Sequence, residues 1–473
     1  MTDDLKLAFT KLSDKRILYD NLFNYYDGFQ PLVYSKKRLQ DIFDKLDARF
    51  TQNWCAVVVD SILERIQLRQ FTIASDAQPA EGEASTANPM ASAEELLNTL
   101  ADANEMTLEA DSVHLAAEVT GEAFMFAWKE EGDDMAQAHY NDPRLCHAFY
   151  EAENPRRMRF ACKWWKDDDK FVHLNLYYPE RIEYYITSKA VDESTDIGDV
   201  STFVPAVVPV AINPYLRIPV FHYRRERRAI RGELVNVIEP QDAVNKLLSD
   251  MMVAAEFGAF KQRWIISQAD TQKLTNQPGL VWSIPGGDGE GQDTSVGELD
   301  ATPLNNYVEA LDKWTNAIAV ITRTPKHYFF SESGGVLSGE ALIAMEAPLN
   351  KKCQKHIDRY AVTWRALAHF MLQLQGVEVN EVDIAAVFDK PETVQPRTEA
   401  EIREINTRSG IPLRTQLRDD GWTDAEIETM EDDKRQEAKI AQENMPQPVV
   451  GVNGNNERPV NGNQRQGQIE VAN

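Results

Sequence analysis

Cysteine is scarce in this chain: Cys55, Cys146, Cys162 and Cys353 are the only four in 473 residues, and no two form a CxxC pair. This excludes a disulfide scaffold and points to folding in a reduced, intracellular compartment. Cys55, inside the apolar run NWCAVVV, reads as a buried thiol. The dipeptide Gly-Lys never occurs, so there is no P-loop for ATP. HExxH and GxSxG are missing too, and the eight histidines are scattered without metal-ligand spacing. No run approaches the ~18 uninterrupted apolar residues of a membrane span. The start MTDDLKLAFTKL lacks the apolar core of a signal peptide. The expectation is a soluble protein made in a cytoplasm, with no catalytic residue, no cofactor and no bound metal.

Basic residues are also in deficit, 50 against 75 acidic ones, for a net charge of −25. Such a chain is unsuited to gripping nucleic acid over a broad surface, because that grip comes from Lys and Arg neutralising phosphates. It remains compatible with a protein that surrounds DNA without holding it. Against this background the run YRRERRAIR stands out, with Arg224, Arg225, Arg227, Arg228 and Arg231. It reads either as a charged strand end paired with acidic neighbours or as a contact patch for DNA or an acidic partner. GGDGEGQD at 286–293 lacks the alternating ligands of a calcium loop. The pairs Glu130–Glu131, Asp133–Asp134 and Asp167–Asp169 fall at element ends, as an acid-rich chain produces by chance.

What is present is a mixed α+β pattern in several domains. Residues 5–26 repeat apolar side chains at helical spacing. A second apolar segment, 39–68, contains NWCAVVVDSILERI. Residues 75–93 are rich in Ala, Ser and Pro and read as a solvated insert. Helical patterning covers about 92–118, and LCHAFYEAE, RMRFACKWW, KFVHLNLYY and RIEYYIT then read as an antiparallel meander. IPVFHYRR at 218–225 is a further strand. A long helix runs from 239, followed by the strands RWIIS and LVWSI and a Gly- and acid-rich turn up to about 299. A second long helix spans 304–322. A third, of about 35 residues, starts after Ser338 as its N-cap, and Pro348 inside it predicts a kink. Between them lies PKHYFFSESGGVLSGEAL (325–342), longer than a helix hairpin needs. Beyond 376 come short acidic helices separated at SGIP and DDGW, then a Gly/Asn/Gln-rich tail from Pro446 that predicts disorder.

NWCAVVVDSILERI, VIEPQDAVNKLLSDMM and ITRTPKHYF…SGEALIAMEAPLNKKCQKHI, in that order, resemble the tailed-bacteriophage portal proteins of the SPP1-like group. The likeness continues weakly into SGIPLRTQLRDDGWTDAEIE. It implies a homo-oligomeric ring, usually dodecameric, that sits at one capsid vertex of the virion and carries double-stranded DNA during packaging and ejection. It implies as partners the major capsid protein and scaffold, the terminase large subunit and a head-tail adaptor, and no membrane. By resemblance, 1–235 and the long kinked helix 339–376 form the wing, 236–263 and 304–324 the stem, 264–303 the clip, 325–338 the tunnel loop and 377–445 the crown, with 446–473 a tail. The tunnel would present Lys313, Arg323, Lys326, His327, Tyr328, Phe329 and Phe330 to DNA, with Gly334 and Gly335 giving the loop room to flex. Asp242, Asn245, Lys246, Asp250 and Trp314 would line the stem. Trp264, Trp282, Asp288 and Glu290 would meet partners at the clip. An acidic wall with sparse basic rings would keep DNA centred while each contact stays weak. Two other readings stay open: a different head-tail or scaffold component of a virion, and a metal-dependent acidic hydrolase.

Overall fold

The computed structural model describes residues 2–31, 51–74, 89–191, 199–259, 263–266, 295–300, 303–330, 338–392, 396–419, 422 and 424–443. Helix α1 (Asp3–Tyr26) is capped by the Thr2 hydroxyl, which accepts from the Leu5 amide at 3.4 Å. Helix α2 (Trp54–Leu63) is capped by the Asn53 side chain, which accepts from the Ala56 amide at 3.3 Å. Strand β1 (Leu68–Ile73) follows, then α3 (Pro89–Ala103) and α4 (Met106–Thr120). The helical stretch expected at 92–118 is therefore two helices, broken where Glu105 takes a left-handed φ of 48°. Because α3 starts at Pro89 and buries Ala93 in the core, the solvated insert expected at 75–93 ends earlier; 75–88 lie outside the described residues.

The expected meander is present and larger than foreseen. Strands β2 (Glu122–Trp128), β3 (Gln137–Asn141), β4 (Cys146–Tyr150), β5 (Met158–Lys166), β6 (Val172–Tyr177), β7 (Arg181–Thr187), β8 (Phe203–Ile212) and β9 (Val220–Arg224) form two antiparallel sheets. One runs β4-β5-β6-β7-β8 and the other β3-β2-β9. In the first, β8 is an edge strand. Glu183 pairs with Val210 and Tyr185 with Pro205, so residues 206–209 bulge outward opposite Tyr184 alone. Val207 is 102% exposed there.

Helix α5 (Ile238–Ala259) leads to β10 (Arg263–Ile266), which pairs antiparallel with β11 (Ser295–Glu298). The partner of RWIIS thus falls within the stretch read as a turn, while LVWSI lies outside the described residues. Gly297 stands opposite Trp264, and a Cβ there would come within 2.4 Å of the indole ring, so a larger residue would displace the ring. Helix α6 (Asn305–Thr322) returns beside α5. Helix α7 (Gly339–Leu374) has the expected Ser338 cap, which accepts from the Ala341 amide at 3.3 Å, and Pro348 lies inside it. Its stripe Leu349, Cys353, Ile357, Tyr360, Trp364 and Leu367 is buried against β1, α4, β2 and β9 in the largest core. At roughly 2–3 kcal/mol per large apolar side chain, this stripe ties α7 to the body.

Strand β12 (Ile384–Phe388) pairs antiparallel with β1, Ile384 opposite Ile73. Residues 384–388 were expected in a C-terminal helical crown; their ladder places them in the N-terminal body instead. Helices α8 (Pro396–Arg408), α9 (Leu413–Asp419) and α10 (Asp424–Glu443) match the breaks at SGIP and DDGW. The chain divides into two units, Met1–Gln416 and Leu417–Asn473, the boundary falling within α9. Among the described residues no helix is long and apolar enough to cross a membrane.

Candidate functional site

At the C-terminal end of α6, Arg323 caps the helix at a left-handed φ of 61°. The Thr322 hydroxyl donates to the Ile318 carbonyl at 2.8 Å and lies 2.9 Å from the Thr324 hydroxyl. Pro325 then starts a single 3-10 turn, Lys326–Tyr328. This turn is anchored. The Tyr328 hydroxyl accepts from Arg65 and lies 3.4 Å from Glu346, while Arg65 sits 3.6 Å from the same Glu346. Phe329 is 6% exposed and meets Trp54 edge to face, centroids 5.2 Å apart. His327 Nε2 is 3.6 Å from Glu346, and Phe330 packs on the same core.

The segment expected to be free from 325 onward is thus anchored to the body through Tyr328, Phe329 and Phe330, while Lys326 stays exposed. Tyr328 and Phe329 are withdrawn from a DNA-facing role in the single chain, because their rings are spent on packing and on Arg65. Lys313, Arg323 and Lys326 are exposed, and among the described residues none of the three has an ion-pair partner. Gly334 and Gly335 lie outside the described residues.

The start of α5 is also locked into the body. Asn245 is fully buried; it accepts from the Gln52 amide at 3.1 Å and donates to Gln30 at 2.5 Å. Gln241, buried too, accepts from the Trp54 amide at 3.1 Å. The Tyr25 hydroxyl donates to Asp242 at 2.8 Å, and burial pushes the Asp242 carboxyl above its usual range, the Tyr25 bond acting the other way. Of the expected stem positions, then, Asp242 and Asn245 are anchors rather than a stem surface. Lys246 and Asp250 pair with each other at 2.5 Å one helical turn apart. Trp314 is 43% exposed. At the clip, Trp264 is half exposed beside Gly297, whereas Trp282, Asp288 and Glu290 lie outside the described residues.

The arginine run divides. Gly121 (φ 97°) and Gly232 let two backbone segments touch: a Cβ on Gly232 would sit 1.9 Å from the Val119 carbonyl oxygen. Through this crossing Arg225 enters the core. It bonds the fully buried Glu118 at 3.1 Å, the Arg231 carbonyl at 3.0 Å and Glu233. Glu118 also accepts from His356 Nδ1 at 2.7 Å and from the Tyr360 hydroxyl at 2.8 Å. Burial alone would raise the Glu118 carboxyl, but His356, Arg225 and Tyr360 outweigh it and hold it at about 2. Lys352 bonds Glu233 at 2.5 Å and the Thr322 carbonyl at 2.8 Å, tying the end of α6 to this network.

Arg225 is therefore an internal brace, correcting its place in the expected contact patch. Arg224 lies over the Tyr150 ring at 4.7 Å, and Arg227 and Arg228 remain exposed. Sequence reasoning missed Glu118, Glu233, Lys352 and His356. The signal was a polar row at i, i+4 and i+7 on α7 (Lys352, His356, Arg359), hidden beside the apolar stripe.

A second buried carboxylate, Glu122, is held by Lys15 at 2.8 Å, Tyr19 at 2.8 Å and His222 at 2.8 Å. Among the described residues no three His, Cys, Asp or Glu side chains gather as metal ligands. In comparisons with known proteins, a model of the family "Phage portal protein, SPP1 Gp6-like" matches residues 7–439. No curated protein matches.

Proposed function

The chain belongs to the SPP1 Gp6-like phage portal proteins, and from that premise we propose that its copies close into a ring around a channel for double-stranded DNA. The family is structural; in this reading the chain supplies the passage and a separate ATPase supplies force, in keeping with the missing P-loop. Helices α5 and α6 serve as the stem. The segment from β10 to β11 serves as the clip that meets the terminase and later the head-tail adaptor. The body of α1–α4, the two larger sheets and α7 serves as the wing, and the helices after 396 as the crown.

The observation that carries the ring is the uncovered apolar surface of the α5–α6 hairpin. Val308, Trp314, Val320, Ile321 and Met252 are each 41–71% exposed in one chain. Amphipathic helices of this length bury such residues against neighbours, and closed cyclic assemblies supply them. The DNA-facing set reduces to Lys313 and Lys326, Arg323 lying at the mouth of a basic cleft instead, with Gly334 and Gly335 kept as the flexible part of the loop. One cation per subunit at each level, repeated round a ring, gives sparse basic rings in an acidic wall; each phosphate contact is weak and DNA slides.

Native mass spectrometry of the purified chain with negative-stain imaging tests the reading. The expected result is a closed ring of about a dozen subunits with a central hole, the number following from the family. A stable dimer without a hole overturns it.

A further inference from the structure

A cleft of about 250 Å³ opens where α6 ends against α7 and the 225–236 loop. Six cations line it: Arg225, Arg231, Arg323, Lys352, Lys355 and Arg359. Only two acids do so, Glu226 and Glu233. Glu233 is already engaged by Arg225 and Lys352. Arg323 and Lys355 are exposed, and among the described residues neither has an ion-pair partner. In a protein of net charge −25, a recess with this surplus of positive charge calls for an anionic occupant.

The same body carries the complementary feature. The turn between β2 and β3, Glu130-Glu131-Gly132-Asp133-Asp134, presents four carboxylates, three of them on exposed residues. It is held in place: Gly132 takes a φ of 104°, Lys129 bonds Gln375 at 2.6 Å, and Gln375 donates to the Asp134 carbonyl at 3.2 Å. Cleft and turn lie at opposite ends of two shared elements. The Arg225 amide bonds the Gly121 carbonyl at the start of β2, whereas the acidic turn follows its last residue. On α7, His356 borders the cleft and Gln375 supports the turn, roughly 28 Å apart at 1.5 Å per residue. A donor at one end and an acceptor at the other is what a head-to-tail contact between identical subunits requires.

We propose that the acidic turn of one subunit docks into the basic cleft of the next. The proposal rests on the ring reading above. The cleft, of about 250 Å³, admits one or two side chains but not a duplex backbone, which favours a carboxylate-bearing turn over DNA.

The test uses the full chain and native mass spectrometry across a dilution series. Lys355→Glu should raise the concentration for half-assembly at least tenfold, and Glu131→Lys with Asp134→Lys should do the same. Combining all three should restore assembly to within about threefold of wild type. Because Lys355 is exposed, an unchanged thermal midpoint of the subunit confirms folding, and the milder Lys355→Gln should shift assembly in the same direction by less. Normal assembly of Lys355→Glu, or a triple variant no better than the single changes, overturns the docking. Normal rings that lose retention of a duplex oligonucleotide also overturn it, in favour of a DNA contact. A wild-type chain that makes no ring fails at the earlier step, the ring reading itself.

Discussion

In the body, Glu118 has no solvent exposure, yet three donors meet it. On the helix hairpin, Val320 is 71% exposed with nothing over it. The two regions join at Thr322, whose carbonyl receives Lys352 from the charged network. The body satisfies this buried carboxylate from within, through Arg225, His356 and Tyr360. The hairpin leaves apolar area unspent, which the proposed ring would cover with a neighbouring subunit. Stability of the subunit should therefore be governed by the buried network, and assembly by surfaces outside it, the bare hairpin first among them.

The largest effect that tests this division is Glu118→Ala. It strands Arg225 and His356 in the core and should lower the unfolding free energy by about 3–5 kcal/mol in urea titrations. A loss below about 1 kcal/mol would erase the contrast. Phe329→Ala comes next, at about 3 kcal/mol, because it empties a site against Trp54. Unchanged stability with altered DNA passage would return Phe329 to the tunnel.

Acid supplies a third probe. The Glu118 carboxyl is depressed from 4.5 to about 2, so its contribution is present above pH 4.5 and is lost as pH falls toward 2. That amounts to roughly 3 kcal/mol. Glu118→Gln should remove this part of the acid transition. His114 is lowered from 6.5 to about 4 by burial, with Glu118 acting the other way; its contribution is present above 6.5 and is lost as pH falls toward 4. Acid unfolding should thus begin before Glu118 titrates, and His114→Gln should delay that onset.

Smallest of all in the isolated subunit is Val320→Ser, within about 0.5 kcal/mol. The same change should weaken ring formation severalfold by native mass spectrometry, and equal effects on both would break the comparison.

Much of the architecture was legible. Strands β4 to β7 alternate aromatic and polar residues, and α1, α5, α6 and α7 carry apolar stripes over many turns. Strand β2 was not read because it is buried on both faces from Glu122 to Ala127 and so shows no alternation. Strand β8 was hidden by Pro205 and Pro209, and β11 by its glycine. The β1–β12 pair joins residues more than 300 positions apart, and nothing local announces it.

The site was half legible for a related reason. Exposed cations such as Lys326 and Arg323 follow from their place at a helix end. By contrast, the partners of Glu118 come from β9 and α7, each unremarkable in its own stretch of sequence.

Strand β8 has a consequence for the subunit before it assembles. No charged residue occurs between Asp199 and Arg217, and Val207, Val208, Val210 and Ile212 are 51–102% exposed along an edge. Such an edge is a template for stray strand pairing. Besides Pro205, Pro209 and the bulge between them, mutual repulsion between chains of net charge −25 keeps neighbours at a distance. Salt shortens the reach of that repulsion, from ~10 Å at 0.1 M to ~3 Å at 1 M, and leaves the bare valines as they are. The unassembled chain is therefore a colloid held in solution by its charge, most soluble in dilute buffer and prone to cluster in concentrated salt.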